Sequence, residues 1–238
     1  MTKQSPQQEM FKAVAAIRHG MPVVYPTETL YALGVDILRP DSVEQVVRLK
    51  GRPQDKPLPV LIGALDQLSM VTDHQSADLY RLTRNFWPGP LSILVPARPG
   101  LSSLLQDQQG FIAVRWTPHP TAQFLAVQGG APLTATSANT SGRPAASRPE
   151  ELDTELLAAL SSPGTSIQAL SGSHDSRKWL LPGTDPDQHP GMVIRQPPYP
   201  AGGRPSTVVQ ILSSHTLHVF RLGAIGLDEL EQAGWRIG

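Results

Sequence analysis

The chain has 238 residues, 39% of them hydrophobic and 17% charged, with 20 basic and 20 acidic side chains and no formal net charge. That length buries a substantial core as one large or two small domains, and the balanced charge excludes a globally polycationic protein, so any nucleic-acid contact needs a local patch. The absence of cysteine excludes disulfides, thiolate–zinc sites and thiol nucleophiles. The start of the chain is polar and no apolar run approaches the ~18 residues of a membrane span. The expectation is therefore a cytoplasmic protein without a membrane partner.

Ser5-Pro6 is an N-cap followed by proline at the first helical position, and Gly20 is a stop. Met10, Val14 and Ile17 share one face between them, which predicts a first helix. Pro22 to Tyr25 is a buried strand. Asp41 and Glu44 form a capping box for a helix that turns Val43, Val46 and Val47 inward and ends near Lys50. Leu58 to Ile62 is a strand, and Ser76 to Phe86 a helix closed by Trp87-Pro88-Gly89-Pro90. Leu91 to Val95 and Phe111 to Arg115 are apolar strands. Pro120 to Gln128 is a helix, Pro132 to Thr136 a strand, and Pro149 to Leu160 a helix. Residues Ser171 to Arg204 lack periodicity and carry six prolines, which marks either a lid or a loose surface insertion. Thr207 to Leu212 and Thr216 to Arg221 form a late strand pair, and Leu227 to Ala233 a last short helix. Strands and helices mixed in this way predict an α/β domain with a twisted mixed sheet.

Several familiar chemistries have no support. There is no phosphate-binding Gly-x-x-x-x-Gly-Lys-Ser/Thr loop, no Gly-x-Gly-x-x-Gly, no His-Glu-x-x-His and no Gly-x-Ser-x-Gly. His215 and His218 fall on opposite faces of a strand, so a protein-held metal is not expected. What remains is a set of polar clusters at strand and helix ends. Thr27-Glu28-Thr29 is either a turn whose hydroxyls satisfy the backbone or a small-ligand contact. Lys50, Arg52 and Lys56 follow the end of a helix. They either complement its dipole or present fixed positive charge to phosphates. Arg115 ends an apolar strand and needs a partner, either an internal carboxylate or a ligand carboxylate. Thr134, Ser137 and Asn139 lie in a run of small residues where backbone N–H groups can approach an anion. Ser206 starts one strand and Arg221 ends the next. Either is a structural cap or part of a site.

In order and spacing these clusters resemble the Sua5/YciO/YrdC family. The motifs are Tyr-Pro-Thr-Glu-Thr-x-Tyr-x-Leu-Gly from Tyr25, Lys-Gly-Arg-Pro from Lys50, Phe-Trp-Pro-Gly-Pro-Leu from Phe86 and Ser-Ala-Asn-x-Ser-Gly-x-Pro from Ser137. The resemblance runs from about Val23 to Ile225. It implies a YrdC-like twisted open mixed sheet with flanking helices around a large, positively lined cavity. It also implies a single domain over residues 1–238 of the short type, with the Pro-rich stretch at about 171–204 as an insertion. Members of the family form threonylcarbamoyl-AMP and pyrophosphate from L-threonine, bicarbonate or CO2, and ATP. The product serves N6-threonylcarbamoyladenosine formation at tRNA position 37 through downstream transfer proteins. The activity implied is thus a nucleotidyltransferase, L-threonylcarbamoyladenylate synthase.

By that resemblance Thr27, Arg115 and Thr134 contact threonine. Lys50, Arg52 and Lys56 hold ATP phosphates, and Ser137, Asn139, Ser206 and Arg221 complete the ATP site. Mg²⁺ is implied as bound mainly through ATP, and Glu28 is a candidate general base. The chain departs from the family pattern at Leu61, where His is frequent. It departs again at Pro205 to Gln210, which lacks both carboxylates of Glu-Ser-Thr-Val-Val-Asp. At Pro144-Ala145-Ala146-Ser147 it loses a hydroxyl. These departures keep a second reading open. It is a divergent paralogue that binds nucleotide or makes another carbamoyl-adenylate. A third is a module contacting tRNA or double-stranded RNA.

Overall fold

A computed structural model describes residues 5–53, 55–161 and 191–238. Helix α1, Pro6–Arg18, starts as the sequence dictates. The Ser5 hydroxyl accepts from the Gln8 N–H at 3.3 Å, and the Gln8 side chain accepts from the Ser5 N–H at 3.2 Å. Val14 and Ile17 are buried and Met10 packs beside them. Strand β1, Val23–Pro26, then pairs antiparallel with β2, Tyr31–Gly34. The turn between them, 27–30, is therefore fixed at both ends by the hairpin.

Helix α2, Pro40–Lys50, differs from expectation at its start. Arg39 is the N-cap residue and makes no side-chain cap bond, Pro40 opens the helix, and Glu44 pairs with Arg48 at 2.9 Å. The proline sets the helical φ one residue before Asp41, which leaves Asp41 inside the first turn. Gly51 ends the helix in the left-handed region at φ 56°.

β3 (Val60–Ile62) runs parallel to β5 (Phe111–Trp116), and β4 (Leu91–Pro96) pairs antiparallel with β5. Between these lie helix α3, Ala77–Phe86, capped by Ser76, and after them α4, Pro120–Gly129. The expected strand over 132–136 is divided. β6 (Leu133–Thr134) pairs with β3, whereas β7 (Thr136–Ser137) pairs with β2. The chain changes sheets at Ala135, whose N–H donates to Pro59 O at 2.8 Å.

The expected helix over 149–160 is also divided. Residues Pro149–Glu151 make a single 3-10 turn, Leu152 is extended, and Asp153 caps α5, Thr154–Leu160. Asp competes for backbone N–H groups where a helix would need them elsewhere, so it starts a helix instead of continuing one.

Of the Pro-rich stretch, residues 171–190 lie outside the described residues. Its remainder is built into the fold. β8 (Met192–Val193) runs parallel to β1, and Ile194 is buried. β9 (Thr207–Ser213), β10 (Thr216–Arg221), α6 (Leu227–Gln232) and β11 (Arg236–Ile237) complete the described chain. Among the described residues there are two sheets, ordered β7-β2-β1-β8 and β11-β10-β9-β4-β5-β3-β6. Both mix parallel and antiparallel pairs, and one large core cluster joins residues of both sheets to those of the helices. A mixed α/β architecture is what the interleaved strands and helices predicted.

Candidate active site

The two sheets part around Ala135 and enclose a cavity of about 720 Å³. Alternate residues of adjacent strands pave its floor. They are Ser92 and Leu94 of β4, Ala113 and Arg115 of β5, and Val208 of β9. The hairpin turn supplies one wall with Thr27 and Thr29, and β7 adds Thr136 and Ser137. Arg52 and Arg221 stand at the rim.

Three guanidinium groups thus converge. Arg115 is 6% exposed. Arg221 has an exposed stem, but its guanidinium turns inward, donating to Ser206 O at 2.8 and 3.1 Å and to Ser206 Oγ at 3.1 Å. Partial burial, then Arg115 and Arg52, lower its pKa. Like charges nearby disfavour its charged form. Arg52 is fixed by donating to Lys56 O at 2.9 Å and Pro57 O at 3.0 Å, and burial lowers its pKa also. Asp107 is the acid on the wall, and its Oδ1 already accepts the Gln109 and Phe111 N–H groups at 2.9 Å. Three arginines against this one acid thus line the cavity.

The threonine candidates separate. Thr27 is 1% exposed and lines the cavity while its hydroxyl donates to Leu30 O at 2.7 Å. Turn stabilisation and site lining are here the same residue. Thr134 does not reach the wall. It is fully buried, and its hydroxyl accepts the Val35 N–H at 3.2 Å where the sheets diverge. Thr134 is corrected from a ligand contact to a joint between sheets.

Glu28 is corrected as well. It ion-pairs with Arg115 and accepts the Thr117 hydroxyl at 2.6 Å, with side-chain exposures of 7% for Arg115 and 13% for Glu28. A carboxylate with one oxygen on a guanidinium and the other on a hydroxyl serves as counter-ion and fixes the arginine's direction.

The phosphate candidates separate too. Lys50 is 2% exposed and lies beneath the wall, donating to Ser137 O and Asn139 O. Its own carbonyl accepts the Ser141 N–H at 3.0 Å. Burial, and then Arg52, bring its pKa down to about 8, against a smaller upward pull from Asp153. Asn139 donates to Thr140 O at 3.0 Å and Arg143 O at 2.6 Å, so it braces its own loop. Asp153 accepts the Thr140 N–H at 2.7 Å from the other side. Lys50, Asn139 and Asp153 thus hold the backbone of 137–143 in place, and Ser137 is the member of that run on the wall. Lys56 is exposed and its side chain does not line the cavity.

Sequence reasoning missed Ser92 and Thr117. Ser92 Oγ lies 3.0 Å from Ser206 Oγ. Its signal was a lone hydroxyl inside the apolar run Leu91 to Val95. Thr117 follows Arg115 by two residues, on the same side of the strand's continuation.

For a metal, the described residues contain no group of three or more His, Cys, Asp or Glu side chains placed to hold an ion. The wall offers hydroxyls and the one carboxylate of Asp107. That donor set fits Mg²⁺ carried in on a polyphosphate and its water, which needs few protein ligands.

Comparison with known proteins follows the same lines. The family model described as Sua5_yciO_yrdC, telomere recombination, matches residues 15–162. Threonylcarbamoyl-AMP synthase of Bacillus subtilis (strain 168) is 35% identical over 149 residues, 62% of this chain and 43% of that protein. Threonylcarbamoyl-AMP synthase of Vibrio vulnificus (strain YJ016) is 35% identical over 152 residues, 63% of this chain and 82% of that protein. The match thus covers less than half of the first relative and most of the second. The structure of P. abyssi Sua5 complexed with L-threonine superposes with a TM-score of 0.76 at 24% identity, over 100% of this chain and 61% of that one. That last likeness is one of fold.

Proposed function

Because the chain belongs to the Sua5/YciO/YrdC family, we propose that its cavity makes threonylcarbamoyl-AMP and pyrophosphate from L-threonine, bicarbonate and ATP. The observation that carries this reading is the convergence of Arg52, Arg115 and Arg221 on one cavity walled by Thr27, Ser137 and Ser206. A triphosphate and an amino-acid carboxylate both need such cations, and a small hydroxyl-bearing side chain needs a polar wall. The enzyme is then a nucleotidyltransferase.

Arg115 takes the threonine carboxylate with the donors that Glu28 leaves free, beside Thr27. Arg52 and Arg221 take the phosphates, and Ser137 and Ser206 meet them through hydroxyl and backbone. Threonine's neutral amine adds to the carbon of CO2, releasing a proton to water, or to that of bicarbonate with loss of water. A carbamate oxygen then bonds to the α-phosphorus as the bond to pyrophosphate breaks. No covalent nucleophile is required. The residues contribute by positioning two bound reactants, where effective molarities reach about 10⁵ M or more, and by neutralising charge on the transferring group. Mg²⁺ bound through ATP would supply further charge neutralisation at the phosphates. We place the reaction in the cytoplasm, with tRNA threonylcarbamoyl-transfer proteins as the partners that consume the product.

The departure at Pro205 to Gln210 does not dismantle the nucleotide side. Thr207 Oγ1 accepts the Gly223 and Ile225 N–H groups at 2.9 and 3.0 Å, and Ser206 holds Arg221. The missing carboxylates leave these bonds in place.

Pyrophosphate release from purified protein, ATP and Mg²⁺ tests the proposal. It is expected only when L-threonine and bicarbonate are both present. Threonine-independent release would instead support a paralogue with another carbamoyl-adenylate. A salt-sensitive shift of double-stranded RNA without turnover would support an RNA module.

A further inference from the structure

After an irregularity between Thr216 and Leu217, strands β9 and β10 pair in step from Leu217 with Ile211 to Val219 with Val209, and then Arg221, not Phe220, meets Val208. Phe220 is the extra residue of a β-bulge. A bulge re-aims side chains that strict alternation would send to opposite faces. Phe220 and Arg221 accordingly both line the cavity, next to the floor residues Val208 and Leu94. Phe220 is 55% exposed. Its ring meets His218 in a T-shaped contact, with centroids 4.5 Å apart and planes at 84°, so that neighbour covers at most one face of the ring.

Single exposed aromatics are ordinary on protein surfaces. This one differs in three respects: it borders the arginine-lined cavity, it adjoins a cation of that cavity in sequence, and the bulge that puts it there is a fixed feature of the backbone. A ligand whose anionic end sits on Arg221 and Arg52 shares the cavity with Leu94, Val208 and Phe220 as its apolar lining. For a nucleoside triphosphate the other end is a flat ring.

We propose that Phe220 is the stacking platform for the nucleobase. The assignment rests on the ATP reading given above and adds to it the residue that receives the base. Stacking is open to any base because every base has a π-face, so Phe220 favours a nucleotide over bare polyphosphate without choosing among bases.

The test compares binding of ATP and of inorganic tripolyphosphate by the full chain and by its variants. Phe220→Ala is expected to weaken ATP about 5- to 100-fold, the range that loss of one base–aromatic stack implies, and to leave tripolyphosphate binding unchanged. Phe220→Trp is expected to retain ATP affinity, and Phe220→Leu, which keeps apolar bulk without a π-face, to resemble the alanine variant. Equal ATP affinity of wild type and Phe220→Ala would overturn the assignment, as would a parallel loss of tripolyphosphate or a Phe220→Leu protein as tight as Phe220→Trp. If Phe220→Ala fails to fold, the leucine and tryptophan variants decide. Wild-type protein that binds tripolyphosphate but not ATP would remove the ATP reading itself. ATP bound equally by all variants would remove only Phe220.

Discussion

Arg115 and Lys50 are both buried cations, yet one faces the cavity and the other is sealed under it. Their partners decide the difference. Arg115 meets a carboxylate, so its charge is balanced before any ligand arrives. Replacing Glu28 by Gln removes that balance from a guanidinium almost out of water. It is expected to lower stability by about 3 kcal/mol, the usual cost of breaking a buried pair, read by urea unfolding. Arg115→Ala is expected to cut kcat/KM for threonine by about 10- to 100-fold through lost charge-assisted hydrogen bonds. The KM for ATP should move far less.

Lys50 meets only carbonyls, and its pKa falls to about 8 from the free value of 10.5. The folded protein then binds fewer protons than the unfolded chain between those values. Stability contributed at this site therefore rises with pH across that window, by up to about 1.4 kcal/mol per pH unit. The expected readout is an unfolding free energy of wild type that gains on that of Lys50→Met from pH 8 upward. A gap that shrinks with pH would contradict the assignment.

At the scale of elements, the cavity is held by chain crossings more than by any one strand. Gly223 is the tightest of them. A Cβ there would lie 2.1 Å from Pro205 O and 2.6 Å from the Ser206 carbonyl carbon. Gly223→Ala must push apart the two segments that carry Ser206 and Arg221. Overpacking of this kind costs about 1–3 kcal/mol, and weaker ATP binding should accompany the lower melting temperature.

Asp153 makes a second crossing, with one oxygen on Thr140 N–H and the other on Glu155 N–H. Asp153→Ala is expected to cost about 1–2 kcal/mol as a lost helix cap and to raise the KM for ATP by loosening 137–143. Asp153→Asn, with one acceptor oxygen, should recover only part of either effect. These crossings were not legible in the sequence, where Asp153 lay inside a continuous helical pattern and Thr134 to Thr136 inside one strand. A local pattern records which residues are apolar, whereas a change of sheet at Ala135 depends on Pro59, which is distant in sequence.

For the whole molecule, the legible part was the order of elements and the cavity arginines. Strand-end polarity found Arg115, and the loop after α2 found Arg52, because a charge at the end of a buried run must reach something. Burial depth was illegible for the same clusters. Nothing local distinguishes Lys50 beneath the wall from Arg52 upon it, or Glu28 as counter-ion from Glu28 as base. What the fold adds is the joint geometry: two sheets that part at one residue, three guanidinium groups in the gap, and a hydroxyl-lined wall facing them.

The direct test of that geometry's chemistry is to incubate the protein with ATP, Mg²⁺, L-threonine and ¹³C-bicarbonate and to analyse the nucleotide products by mass spectrometry. The account predicts a threonine-containing adenylate that carries the ¹³C label, formed in step with pyrophosphate and, at threonine well below KM, about 10- to 100-fold more slowly when Arg115 is replaced by Ala. An adenylate lacking the label, or label incorporated without threonine, would contradict it.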